Sequence, residues 1–309
     1  MEIAKGTPYG EARRLRYISL IAKLTSETGS IDADLLAERI KMISDGMRQQ
    51  LDAHIRRTGR IGTVNVAHNY IEFGRWLGII DKVGHLVSPN GYTLLISEIY
   101  NGDNFGLSEK EKIAFIEILL KKEQVADLLS RLKFENEARD FSEFEGEHAD
   151  KKEHFVQTFF DWYVDLDILR PKTSSSRKFL LTEIGEALIN GIGTKESNAN
   201  IVASYCSGLL KKPVSTDIEA AKYVIDSSFK NSFEVMKTKA RSELGNHVYT
   251  ALPIFLYLQL YLITEHLLSL KLEDIADVVK NCALSKNGVV RLVWNNITSK
   301  GHMVVKVGD

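Results

Sequence analysis

Thr63 to Leu95, TVNVAHNYIEFGRWLGIIDKVGHLVSPNGYTLL, is the stretch from which the rest of the chain is best read. Thr63 is a helix-capping residue type, and Val66 or Ala67, Tyr70, Ile71, Gly74 and Leu77 follow at three-to-four spacing, the period of a helix with one packed face. The same spacing leaves Asn65, His68, Asn69, Glu72 and Arg75 on another face. Gly78 stops the helix. Ile79-Ile80 and Leu86-Val87 then flank the turn residues Lys82-Val83-Gly84-His85 as the strands of a short hairpin, and Ser88-Pro89 is placed to open the next helix.

Upstream, from Glu11 to about Thr25, Leu15, Ile18 and Ala22 share a helical face while Arg13, Arg14 and Arg16 crowd the first turns. Cations are unfavourable at a helix N-terminus, so the arginines are expected on a solvated face or, failing that, against an anionic partner. After Gly29-Ser30, Asp32 can cap a long helix in which Leu36, Ile40, Ile43, Met47 and Leu51 recur in near-heptad register. Its end, His54 to Arg60, is basic and broken by Gly59, and it leads straight into Thr63.

Ser108-Glu109-Lys110-Glu111 matches a capping box and starts a second unit with the apolar helix Ile113 to Leu120. A repeat then emerges, because His154 to Leu169 and Phe179 to Gly185 can be laid over Ala67 to Ile80 and Leu86 to Gly91. Tyr70 falls on Phe159, Phe73 on Trp162, Leu77 on Leu166 and Gly91 on Gly185. The second copy has a longer hairpin loop, Arg170 to Lys178, carrying Arg170, Lys172, Arg177 and Lys178. Between its helices, Phe134 to Glu153 holds eight acids and reads as a solvated, mobile loop.

The organisation expected is residues 1–106, residues 107–192 and a helical C-terminal part at 193–309. Val248 to Ile263, VYTALPIFLYLQLYLI, is shorter than the ~20 residues of a membrane span and contains Pro253 and Gln259, so it is expected as a helix buried on all sides, in a core or a dimer interface. Beyond it, a short helix from Leu272 to Lys280, a turn at Asn281-Cys282-Ala283, a helix capped by Ser285 and strands from Ile297 to Val307 about the turn Thr298 to Gly301 are expected. Lys286, Arg291, Lys300 and His302 would give this last part a positive face.

Forty Lys plus Arg against forty-one Asp plus Glu give a net charge of -1, which argues against nucleic-acid binding through bulk charge. Residues 107–192 hold 13 basic and 18 acidic residues, a net of -5, so any phosphate-binding surface must be local. The phosphate loop, G-x-G-x-x-G, HExxH and CxxC patterns are all missing from the sequence, which leaves no support for ATP hydrolysis or zinc chemistry. His148 and His154 beside the acidic run are better read as solvated than as metal ligands. Asp150-Lys151-Lys152 with Asp140 is the nearest approach to a nuclease motif, and it lies in that run rather than on strands. No catalytic residue, metal or cofactor is expected. Cys206 and Cys282, far apart in apolar stretches, read as reduced core thiols of a cytoplasmic protein, and the N-terminus has neither a signal-peptide nor an anchor pattern.

The endings LGII, hairpin, VSPNG and LDIL, hairpin, LTEIG resemble those of winged helix-turn-helix modules, which implies a mainly α fold with short β-wings arranged in tandem. The layout is similar to the DNA-recognition regions of type IIS restriction endonucleases, without their nuclease domain. It is also similar to the tandem winged-helix subunits that bridge kleisins in SMC complexes, which are mainly protein-binding dimers. The first resemblance implies a non-catalytic protein of double-stranded DNA, a homodimer or a subunit of a multiprotein complex, with no membrane partner. Its contacts would come from Arg56, Arg57, Arg60, Thr63, Asn65, His68, Asn69, Lys82 and His85, from Arg170, Lys172, Arg177 and Lys178, and from Lys286, Arg291 and Lys300. Asn65 and Asn69 can pair with adenine through their amides.

Overall fold

The computed structural model describes residues 12–47, 60–102, 105–132, 137–144, 153–173, 177–194, 196–226, 248–285, 290–295 and 302–307. The chain divides into two compact units, residues 1–197 with 208–210 and residues 198–207 with 211–309. It is mainly helical, and the described strands form small antiparallel sheets of three strands each.

The first unit begins with α1 (Leu15–Thr28), β1 (Ile31–Asp32), α2 (Ala33–Met47), α3 (Val64–Leu77), β2 (Ile80–Val83), β3 (Leu86–Pro89) and α4 (Gly91–Ile99). It continues with α5 (Glu109–Leu120), α6 (Glu123–Arg131), β4 (Arg139–Asp140), a 3-10 turn at Phe141–Phe144, α7 (Glu153–Asp165), β5 (Leu169–Pro171), β6 (Lys178–Leu181) and α8 (Glu183–Gly193). The strand orders are β1-β3-β2 and β4-β6-β5, so in each half a two-residue strand pairs with the returning strand of a hairpin. The two halves therefore share one sheet topology, while the helices around the short strand differ, α1 alone preceding β1 among the described residues and both α5 and α6 preceding β4.

α3 forms for the reasons its sequence suggests. Thr63 accepts a hydrogen bond from the Val66 N–H at 3.3 Å, and Gly78 takes the left-handed conformation at φ 79° that ends the helix. Ala67, Tyr70, Ile71, Gly74 and Leu77 are buried, and Phe73 joins them. Gly74 lets β2 lie close, because a Cβ there would stand 3.3 Å from the Ile80 side chain.

Several expectations need correction. Ser88 and Pro89 do not open α4: they complete β3, opposite Asp81 and Ile80, and Asn90 caps the helix by accepting from the Tyr92 and Thr93 N–H groups. In the second half Thr182 is the matching cap, so Gly185 stands opposite Thr93 rather than Gly91. α1 starts at Leu15, with Arg14 as its extended N-cap residue. The acidic run is not wholly a loop, since Arg139 and Asp140 pair with Phe179 and Lys178, and the Phe144 ring lies 5.5 Å from that of Phe160. Asp150, Lys151, Lys152 and His148 lie outside the described residues.

The second unit contains α9 (Asn198–Leu210), a helical stretch at 218–226, β7 (Val248–Thr250), α10 (Ala251–His266), α11 (Leu272–Ser285), β8 (Val290–Asn295) and β9 (His302–Val307). Its strands follow the order β7-β9-β8. Val248 to Thr250, expected as helix, pair with β9 instead, and α10 starts behind them with Pro253 in its first turn, where a missing N–H costs nothing. α11 runs unbroken through Asn281-Cys282-Ala283, and the terminal hairpin starts at Val290 rather than Ile297. Phe255, Leu256, Leu258, Leu260, Leu262 and Ile263 are buried by this chain alone, and Gln259 is satisfied by donating to the Leu270 carbonyl at 2.8 Å.

Candidate nucleic-acid interface

The free face of α3 carries Asn65 and Arg75 exposed, with His68, Asn69 and Glu72 half-buried. Thr63 and Arg60 are exposed at its entry. Its basic side chains are already engaged. His68 Nε2 lies 3.0 Å from the Asp34 carboxylate of α2, and Lys82 of β2 donates to Glu72, which also holds Arg75 at 3.2 Å. Lys82 and Arg75 are thus tied into ion pairs with Glu72, and His68 is turned to Asp34. His85 is exposed at the hairpin tip, where its carbonyl accepts from the Ala33 N–H at 2.7 Å and ties the tip to the start of α2.

α7 stands at the equivalent place in the second half, and its surroundings differ. From Val156 to Tyr163 every side chain except Gln157 is buried. The Trp162 indole donates to the Ala12 carbonyl at 2.6 Å, Arg13 donates to Gln157 at 2.8 Å, and the Phe73 and Trp162 rings meet edge to face at 5.3 Å. Phe73 and Trp162 are repeat-equivalent residues, so the two halves join through the same position of each copy. Trp76 stacks on Phe159 beside them at 6.1 Å.

The arginines of the N-terminal segment close this joint, which overturns their expected solvated face. Arg14 donates to Asp165 at 2.6 Å, and Asp165 also accepts from the Leu15 N–H at 2.9 Å, so one carboxylate compensates the guanidinium and caps α1. Burial alone would lower the Arg14 guanidinium, but the Asp165 and Asp161 carboxylates outweigh it and hold it above its ordinary value. Arg16 lies 3.0 Å from Glu111 and its guanidinium sits 4.2 Å over the Tyr100 ring. Glu111 is the expected capping-box residue, and its second oxygen accepts from the Ser108 N–H at 2.9 Å. The anionic partner sought for these arginines is therefore internal. The clue available in the sequence was the pair of acids at helix ends, Glu111 opening α5 and Asp165 closing α7.

The second hairpin presents the clearest positive surface. Arg170, Lys172, Arg177 and Lys178 are all exposed. The register pairs Arg170 with Leu180 and Asp140 with Lys178, and the Lys172 N–H donates to the Lys178 carbonyl at 2.9 Å, which fixes the base of the loop. Asp140 stands 3.8 Å from Arg177, and Glu143 accepts from Arg139 at 3.0 Å. The hydrogen bond from the Asp140 N–H, together with Arg139, holds the Glu143 carboxyl below its ordinary value.

Arg56, Arg57, Lys286 and Lys300 lie outside the described residues, and Arg291 and His302 fall on β8 and β9. Among the described residues no group of three or more His, Cys, Asp or Glu is placed to hold a metal ion, and no helix is long and apolar enough to cross a membrane. Cys206 is buried in α9. No protein family, curated protein or solved structure matches the chain.

Proposed function

We propose that the chain is a non-catalytic double-stranded DNA-binding protein built from tandem winged helices, serving as the cytoplasmic recognition part of a larger DNA-processing, defence or regulatory system. The observation that carries this reading is the β5–β6 hairpin, with four exposed cations on one short loop of a half that is otherwise acidic. Phosphate contacts of this kind position a protein on the duplex and supply most of its affinity, whereas base edges need a free helix face. Of the two repeat-equivalent helices, α3 keeps such a face, and Asn65 and Asn69 are its amide donors and acceptors. The first half follows helix, short strand, helix, helix and hairpin, the winged-helix order; the second shares its sheet, a short strand on the returning strand of a hairpin, with two helices before that strand and a 3-10 turn after it, and the shared sheet supports the tandem reading. Homodimerisation to match two half-sites belongs to the same proposal.

A gel-shift titration with duplex DNA at about 50 and about 200 mM salt tests it. Four phosphate contacts weaken binding roughly a hundredfold across that range. Absence of a shift, or a shift insensitive to salt, would remove the reading. A protein-interaction scaffold of the kleisin-bridging kind is the second reading, and it is favoured by Glu72, which pairs with Lys82 and Arg75 on the α3 face, and by Asp34, which faces His68.

A further inference from the structure

The first hairpin is chemically unlike the second. The β1-β3-β2 register sorts its side chains, because Ile31, Ile80 and Val87 are buried on the inner face and the alternate residues must point outward. Asp32, Leu86 and Val83 then form one row across the outer face, with Ser88 and Asp81 in the next row. Val83 is 82% exposed and Leu86 48% exposed, and Leu35, 45% exposed, follows Asp32 at the start of α2. The outer face is thus an apolar pair with an exposed aspartate on either side, ordered by the bond between the Ala33 N–H and the His85 carbonyl and by the Ser30–Ser88 hydroxyl contact at 2.8 Å.

Such a face is unsuited to phosphates, since Asp81 repels them where the matching position of the other half carries Arg170, and Leu86 stands where that half carries Lys178. β2 is moreover an edge strand, and an ordered edge with exposed apolar residues is a template for another strand. We propose that β2 is the docking edge for an extended protein segment that adds as a further strand and carries an apolar and a basic residue two positions apart. The apolar residue packs beside Val83 and Leu86, and the basic residue lies beside Asp81. Strand addition takes affinity from main-chain hydrogen bonds and selects partners through alternate side chains, so Asp81 chooses a basic segment and rejects an acidic one. The first hairpin would then hold a protein partner while the second is left to nucleic acid, and the docking stands whether or not DNA binds.

A library of random twelve-residue peptides selected against the full chain tests this, with the enriched peptides synthesised and titrated by fluorescence. The expected result is an apolar-x-basic spacing in either direction, with binding weakened at least tenfold by Val83→Asp and by Asp81→Lys and unchanged by excess duplex DNA. Both positions are exposed, so the variants should melt with the wild type, and Val83→Ser replaces Val83→Asp if that one does not. Enriched peptides that are acidic or lack the spacing, binding unchanged in both variants, displacement by duplex DNA, or no enrichment would each overturn the proposal.

Discussion

α3 and α7 hold the same place in two copies of one pattern, yet α3 keeps a free face and α7 has almost none. The repeat conserves what each half needs for its own core: Tyr70 and Phe159, Phe73 and Trp162, and Leu77 and Leu166 are all buried. The N-terminal segment then lies against α7 and takes up the side that its counterpart leaves open. A recognition-type pattern in a sequence therefore specifies how a helix packs and leaves undecided what its other face meets. The following helix starts differ in the same local way. Thr93 donates its hydroxyl to the Ile79 carbonyl, whereas at Gly185 a Cβ would overlap the equivalent carbonyl of Ile168, and there the cap Thr182 makes that bond.

The contrast predicts unequal costs for truncation. Trp162→Ala should destabilise the protein by about 3–5 kcal/mol, because it opens a cavity in the joint, whereas Asn65→Ala on the free face of α3 should stay within about 0.5 kcal/mol. Denaturant unfolding of the two variants measures this, and equal costs would break the comparison. Arg16→Met should cost about 3 kcal/mol or more, since Glu111 is left buried without its cation. The check is the midpoint of thermal or chemical unfolding, where Arg16→Lys should recover only part of the loss because a single ammonium cannot serve the carboxylate, the Asn101 carbonyl and the Tyr100 ring at once.

Alkali should open the same unit. Burial pushes the Tyr17 phenol up to about 12, so the folded state binds its proton more tightly than the unfolded chain does. The stabilisation is complete below the ordinary value of 10.0 and is lost as pH rises from there to about 12, a difference on the order of 2–3 kcal/mol. Tyr70 and Tyr163, buried in the two halves, are raised as well and steepen the loss. Phenolate absorbance followed alongside circular dichroism should show the buried tyrosines ionising together with unfolding. Smaller losses than at the joint are expected at the helix starts, where Gly185→Ala should cost about 1–3 kcal/mol by forcing Cβ against backbone, and Thr93→Val about 1–2 kcal/mol because its hydroxyl donates to the Ile79 carbonyl and accepts from the Asn90 N–H. Melting temperatures of the pair rank them.

Local rules were enough to read α3, its cap Thr63, its stop at Gly78 and the Ser108 capping box, because each depends on residues within one turn of one another; they found the first hairpin but not its turn, since Lys82 and Val83, expected there, belong to β2. The helix-to-strand change at Val248 escaped because its partner, β9, lies over fifty residues downstream and an apolar run has no period of its own. The arginine cluster was misread for the same reason: Arg14 finds Asp165, and Arg16 finds Glu111, across distances that no local pattern records. Of the candidate site, the exposure of Asn65 and of the four hairpin cations followed from periodicity and composition. The loss of Lys82 to Glu72 did not, because it depends on how the hairpin folds back over α3.

On the proposed reading, the second half meets DNA through its hairpin alone and not through its enclosed helix. The measurement that decides this is the slope of log affinity against log salt for duplex DNA, for the wild type and for the variant with Arg170, Lys172, Arg177 and Lys178 all changed to Ala. At about 0.9 per phosphate contact, the slope should fall by up to about 3 or 4 while the preferred sequence stays the same. An unchanged slope would contradict the claim and assign the hairpin to a protein partner or to solvent.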